Sequence, residues 1–135
     1  MITKLTHIGV AVKNLAESVA LFSRLFRVDR FENEAVESQH VRLALFQVGE
    51  TSIELTEASD PRSPIASFIE KRGEGVHHLS FEVDDIEAEL GRMKAEGVQL
   101  IDEKPRVGAG GRLIAFLHPK STNGVLIELS QRVDL

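Results

Sequence analysis

Apolar and polar positions alternate in the first segment of the chain. THIGVAV places its branched apolar residues on one face of a strand and His7 on the other. Asn14 is suited to cap a helix, and the apolar residues after it recur near helical spacing to about Phe26. The pattern therefore predicts a strand followed by a helix.

The next segments favour more strands. Residues 28–39 are charged but compatible with a strand, and VRLALFQVG and TSIELTE predict two more, joined by a turn at Gly49 and Glu50. PIASFIEKRGEG has the proline start and glycine end of a short helix. The first half is thus predicted to be strand, helix and three strands, with a linker helix after it.

The second half repeats this order. HHLSFEV predicts a strand, and Asp84 or Asp85 can cap a helix that ends at Gly97. VQLIDEK, RLIAFLHP and GVLIELSQ then predict three further strands. The expected fold class is α+β, made of two βαβββ modules.

Length and repetition together predict one domain. A chain of 135 residues with 42% hydrophobic content can form one compact core. We expect a single domain over residues 1–135, with repeat 1 at about 2–58, a linker at about 59–75 and repeat 2 at about 76–131. Each half is too short to bury a sheet face alone and must pack against its twin or another chain, so we expect a homodimer.

Charge and cysteine content exclude several kinds of site and partner. The net charge of −5 is spread along the chain without a basic patch, so no nucleic-acid partner is expected. The absence of cysteine excludes disulfides, thiolate zinc sites and cysteine nucleophiles. MITKLTHIGVAV lacks the charged start and long apolar run of a signal or anchor, so we expect a cytoplasmic protein without membrane attachment.

Histidine and glutamate occur at matching places in the two halves. His7 and His78 are 71 residues apart, and Glu54 and Glu128 are 74 residues apart, so the two offsets nearly agree. Strand alternation puts each of them on the face opposite its apolar neighbours. One such residue alone is more often a solvated residue on an outer sheet face. Four residues of ligand type in matching positions instead predict one divalent-metal site.

Other candidate residues have simpler explanations. His77 falls among the apolar residues of its strand and is predicted to be structural, and His40, without a counterpart in the other repeat, is expected to be exposed. His118 begins the HPK turn, where a turn-forming role and a place at the rim of a substrate site are both open. GAGGR lacks the lysine and the strand-to-helix context of a phosphate-binding loop, which leaves a loop bordering the site or a plain turn.

Three longer motifs show a family resemblance. THIGVAV, SPIASFIEKRGEGVHHLSFEVDDI and GAGGRLIAFLHPKSTNGVLIEL resemble the vicinal oxygen chelate (glyoxalase/bleomycin resistance/dioxygenase) superfamily, and within it the methylmalonyl-CoA epimerases. The likeness covers essentially the whole chain. It implies a cupped mixed sheet around a divalent metal, and an isomerase that moves a proton on an acyl-CoA substrate.

The resemblance also implies roles for individual residues. His7, Glu54, His78 and Glu128 correspond to the family's metal ligands, and Glu128 also corresponds to a catalytic acid/base. The implied ion is cobalt, manganese, zinc or nickel. Four protein ligands leave two positions of an octahedral ion open for substrate oxygens.

One position departs from the family pattern. Leu43 stands where some members carry a glutamate, and leucine cannot transfer a proton. Inversion of a carbon centre requires acid/base groups on both of its faces. The sequence leaves Glu34, Glu37 or a water held near the metal as the second group.

Two other functions compete with epimerisation. A glyoxalase I (lactoylglutathione lyase) uses a similar set of histidine and glutamate residues for proton transfer on a glutathione adduct. A drug-binding resistance protein of the same fold has an aromatic-lined cleft and needs no metal ligands. This chain has seven phenylalanines but no tryptophan or tyrosine, and it keeps four ligand-type residues, so the epimerase ranks first.

Overall fold

A computed structural model describes residues 1–133 of the chain. The eight strands of this part are β1 (Ile2–Ala11), β2 (Glu32–Val36), β3 (Val41–Val48), β4 (Thr51–Ala58), β5 (Gly75–Val83), β6 (Arg106–Val107), β7 (Leu113–Leu117) and β8 (Ile127–Gln131). Its α-helices are α1 (Leu15–Phe26), α2 (Pro64–Arg72) and α3 (Ile86–Ala95), and single turns of 3-10 helix lie at Glu37–Gln39, Ala109–Gly111 and Pro119–Ser121. The order βαβββ, helix, βαβββ matches the sequence prediction.

The strands form one mixed sheet with the order β2-β3-β4-β1-β5-β8-β7-β6. The pairs β2-β3, β3-β4, β6-β7 and β7-β8 are antiparallel, whereas β5 and β8 run parallel. The predicted α+β class is therefore confirmed. In the described part of the chain, every helix is too short or too polar to cross a membrane.

Contacts divide the chain into two compact units. One consists of residues 1–7 and the chain from His78 onward, and the other is Ile8–His77. In the first unit, α3 begins at Asp85, whose side chain accepts a hydrogen bond from the amide of Ala88. The apolar face of α3 packs with β5, β7 and β8. This core consists of Val83, Ile86, Leu90, Met93, Ala115, Leu117 and Leu129.

The second unit has its own core, centred on a phenylalanine of β3. Helix α1 starts at Asn14, which accepts a hydrogen bond from the amide of Glu17, as its sequence position predicted. The helix packs against β3 and β4. Phe46, which is 1% exposed, has the rings of Phe22, Phe26 and Phe31 around it at centroid distances of 6.1, 5.6 and 5.3 Å.

One predicted strand is wrong. VQLIDEK makes a single bridge, between Leu100 and Leu117, and the second strand of the second module is the two-residue β6. The amides of Ile101 and Asp102 both donate to the carbonyl of Phe116, and the Asp102 carboxylate accepts the Phe116 amide at 2.9 Å. Because the aspartate side chain takes the place of a backbone partner, the ladder cannot continue.

Candidate metal centre

Three of the predicted ligand residues meet within the first compact unit. His7 lies on β1, His78 on β5 and Glu128 on β8. The Nε2 atom of His7 is 2.9 Å from Nε2 of His78 and 3.4 Å from Oε1 of Glu128. The two rings meet edge to face, with centroids 5.0 Å apart. Three potential donor atoms therefore converge on one small volume.

Strand alternation explains why these side chains face the same way. Ser80 of β5 is in parallel register with Glu128 of β8, and His78 precedes Ser80 by two residues. The neighbour of Glu128 in sequence, Leu129, points the other way and is fully buried in the core beneath α3. The hydrophobic core thus sets the orientation of the polar side chains on the opposite face.

Glu54 is the fourth predicted ligand and lies on β4. Glu54 is 7% exposed, and its register partner on β3 is Leu45. One ligand atom from each of His7, Glu54 and His78 lies within 4.8 Å of the others. The chain therefore contains a His-Glu-His cluster that is able to bind a metal ion.

Three of the four candidate ligands are buried and the fourth, His7, is half-buried, so they do not lie on a solvated sheet face. His78 is 7% exposed and Glu128 is 5% exposed. Removing a carboxylate from water is costly unless a cation or several hydrogen-bond donors compensate for the lost hydration. The buried side chain of Ser80, on the same strand face as His78, lies beside Glu128 in the strand register. Buried acids and imidazoles together fit a bound cation better than a packed core.

Burial shifts the proton affinities in a direction that suits metal binding. Loss of hydration lowers the pKa of His7 to about 4, and the positive charge of Arg112 acts in the same direction. The His7 ring is therefore neutral at neutral pH, as a metal ligand must be. Burial raises the pKa of Glu128 to about 7, against the opposing effects of a hydrogen bond with Ser80 and the positive charges of Arg106 and Arg112. Histidine nitrogen and carboxylate oxygen together suit divalent transition metals.

An aromatic ring and an ion pair border these ligands. Phe116 is the register partner of Glu128 on β7, and its ring centroid is 5.8 Å from that of His78. Phe116 is not among the residues predicted from the sequence, although the alternation of RLIAFLHP could have placed it on this face. Arg112 is half-buried and donates hydrogen bonds to Glu82 at 2.7 Å and to Ser130.

The remaining histidines make local structural contacts. The half-buried ring of His77 packs edge to face on Phe68, with centroids 4.9 Å apart. His118 accepts a hydrogen bond from the amide of Lys120 and caps a 3-10 turn, which favours its turn-forming role. His40 is only partly exposed and lies 3.1 Å from an Asp60 oxygen.

The glycine-rich segment forms a turn. Ala109–Gly111 is a single 3-10 turn in which Gly110 and Gly111 have φ of 68° and 73°. Residues with side chains rarely adopt such positive φ values, which explains the paired glycines. Plain turn chemistry therefore accounts for GAGGR.

Comparisons with known proteins agree on the family. Residues 6–116 match the family model of the Glyoxalase/Bleomycin resistance protein/Dioxygenase superfamily. The mitochondrial methylmalonyl-CoA epimerase of Dictyostelium discoideum is 39% identical over 97% of this chain and 80% of its own length. His7, Glu54 and His78 lie within residues 6–116, and Glu128 follows this range.

Solved structures extend the likeness to three dimensions. The Mycobacterium tuberculosis methylmalonyl-CoA epimerase superposes with a TM-score of 0.93 at 34% identity, covering 98% of this chain and 90% of its own. A glutamate-to-leucine variant of the Streptomyces coelicolor methylmalonyl-CoA epimerase, in complex with 2-nitronate-propionyl-CoA, has a TM-score of 0.93 at 33% identity. It covers 98% of this chain and 96% of its own.

Proposed function

Because the chain belongs to the methylmalonyl-CoA epimerases of the Glyoxalase/Bleomycin resistance protein/Dioxygenase superfamily, we propose that it interconverts the R and S epimers of methylmalonyl-CoA. The observation that carries the proposal is the convergence of His7, His78 and Glu128. Glu54 completes the proposed ligand set as part of the His-Glu-His cluster.

Glu128 is the proposed acid/base. The substrate carbon lies between a thioester and a carboxylate, so removal of its proton leaves an enolate. A general base works best when its pKa lies near the operating pH, and burial brings Glu128 to about 7. Glu128 would take the proton and return it, while Phe116 beside it excludes water from the carboxylate.

The metal is the second part of the proposal. His7, Glu54, His78 and Glu128 would hold one divalent ion, with cobalt, manganese, zinc and nickel as the candidates. Such an ion supplies electrostatic stabilisation of the negative charge on the enolate oxygens. The neutral His7 ring and the buried carboxylate of Glu128 support this assignment.

Deuterium exchange tests the activity directly. In D2O, the purified protein with a divalent metal should introduce deuterium at the acidic carbon of methylmalonyl-CoA, as measured by mass spectrometry. Glu128→Gln should slow the exchange by about 100-fold or more, because general acid/base groups contribute roughly that factor. A parallel assay with methylglyoxal and glutathione tests the glyoxalase alternative. Turnover of that adduct without exchange into the thioester would contradict the proposal.

A further inference from the structure

An arginine of the first compact unit lies over the aromatic ring beside Glu128. The guanidinium carbon of Arg106, on β6, is 5.7 Å from the ring centroid of Phe116, within the range of a cation–π contact. Phe116 is the register partner of Glu128, so their Cβ atoms are about 4.5–5.5 Å apart. Burial raises the pKa of Glu128, and the positive charge of Arg106 is one of the effects that oppose this rise. A guanidinium therefore lies near the proposed acid/base.

Asp102 holds this guanidinium in place. One oxygen of its carboxylate accepts the backbone amide of Phe116 at 2.9 Å, and the other accepts Nε of Arg106 at 3.2 Å. The side chain of Asp102 is 17% exposed, whereas that of Arg106 is 43% exposed. Within residues 1–133, neither Nη1 nor Nη2 of Arg106 donates a hydrogen bond to a protein group. The two terminal nitrogens are thus available to a ligand.

The second arginine near Glu128 is already engaged by the protein. Nε and Nη2 of Arg112 both donate to Ser130, and Nη2 also donates to Glu82 at 2.7 Å. Bidentate recognition of a carboxylate needs two neighbouring nitrogens of the guanidinium. Arg112 has lost such a pair, whereas Arg106 keeps both of its terminal nitrogens.

We infer that Arg106 binds the carboxylate of the acyl-CoA substrate and selects carboxylated thioesters over uncharged ones. The inference rests on the proposed epimerase function. A general base must lie within hydrogen-bond reach of the proton that it removes. In methylmalonyl-CoA, the carboxylate is bonded to the carbon that carries this proton, whereas the phosphates are separated from that carbon by the whole pantetheine arm. A cation near Glu128 therefore meets the carboxylate.

Two features distinguish Arg106 from an ordinary surface charge. Surface ion pairs contribute little when long side chains must lose freedom in order to meet. Asp102 and the Phe116 ring restrain the guanidinium before a ligand binds, so less freedom is lost. The ring also covers one face of the guanidinium, which leaves its edge for two parallel hydrogen bonds to a planar carboxylate. Charge-assisted hydrogen bonds of this kind strengthen binding by about 10-fold or more.

Isobutyryl-CoA is the matched ligand for a test, because it carries a methyl group where methylmalonyl-CoA carries the carboxylate. Calorimetry on the metal-loaded protein measures the dissociation constant of each thioester. We expect Arg106→Gln to weaken binding of methylmalonyl-CoA by about 10-fold or more and to leave that of isobutyryl-CoA within about twofold of wild type. Lys104→Gln, which removes the same charge from an exposed position nearby, is the matched control and should change neither constant.

The two thioesters also identify the results that would overturn the inference. An equal loss of affinity for both would mean that Arg106 contacts coenzyme A and not the carboxylate. An unchanged affinity for methylmalonyl-CoA would mean that Arg106 is only a solvated charge. Absence of deuterium exchange in the wild-type protein would instead refute the proposed function. A wild-type protein that exchanges the proton, with an Arg106→Gln variant that keeps the full preference for the carboxylated thioester, would refute the inference alone.

Discussion

At the scale of single residues, two adjacent histidines have opposite roles. His78 is buried with its Nε2 atom 2.9 Å from that of His7, whereas the His77 ring packs on Phe68. Successive side chains of a strand point to opposite faces, so a shift of one residue exchanges a ligand position for a packing position. The alternation in HHLSFEV alone predicts opposite faces for His77 and His78, in agreement with their contacts in the structure.

The amount of bound metal should depend on His78 and not on His77. We expect the His78→Ala variant to lose most of its bound divalent ion, because the His78 imidazole is one of the proposed metal ligands. His77→Ala is the matched control, since it removes the neighbouring ring from the other face. Metal analysis of both purified variants after equal metal loading measures the effect. Equal loss of metal from both variants would contradict the ligand assignment of His78.

At the scale of elements, the register between β5 and β8 organises the polar face. It places Ser80 beside Glu128 and Glu82 beside Ser130, so Arg112 can contact both members of the second pair. The hydrogen bond from Arg112 is the main cause of the lowered pKa of Glu82. The ion pair with Glu82 fixes the orientation of the Arg112 guanidinium and holds its positive charge near the ligands.

Acid should remove the contribution of this pair to stability. Because the folded-state pKa of Glu82 lies below its usual value of 4.5, the stabilisation is present above that pH and is lost as pH falls through the lowered value. We expect Glu82→Gln to lower the free energy of unfolding at pH 7 by about 1 kcal/mol, with the difference shrinking as the pH falls below 4.5. Urea denaturation at pH 7 and in acid measures it. Glu103→Gln, in an exposed pair with Lys94, should have a smaller effect, and a pH-independent loss in Glu82→Gln would refute the explanation.

Among the elements, hydrophobic periodicity alone predicted one strand wrongly. VQLIDEK has the composition of a strand, yet Asp102 uses its side chain to bind the Phe116 amide and ends the pairing. A side chain that competes with the backbone for a distant partner cannot be recognised from local alternation. The same limit applies to Arg112, whose partners Glu82 and Ser130 are distant in sequence.

At the scale of the whole molecule, two βαβββ modules and a linker helix account for every strand and α-helix in residues 1–133. The fold and the family agree with the resemblance in the sequence. The homodimer, the cytoplasmic location and the boundaries of the two repeats stay predictions. His7 of the first module and His78 of the second have their Nε2 atoms 2.9 Å apart, so metal binding should stabilise the folded chain.

Removal of metal tests this coupling. A ligand that binds only the folded state at 100 times its Kd adds about 2.7 kcal/mol, which corresponds to a Tm increase of roughly 10 °C for a chain of this size. We expect a chelator to lower the Tm of the metal-loaded protein by about that amount. The Tm of His78→Ala should be the same with and without chelator. An unchanged Tm in the wild-type protein would show that these residues hold no stabilising ion.

The sequence by itself determined the order of elements, the face of each strand and the four ligand candidates. These features follow from short-range periodicity and from repetition, which the chain displays before it folds. Only the tertiary structure decided that His7, His78 and Glu128 converge, that burial shifts the pKa of His7 and Glu128 in opposite directions, and that Glu34 pairs with Leu43. Distances, desolvation and strand register depend on contacts between segments far apart along the chain, and local patterns do not encode them.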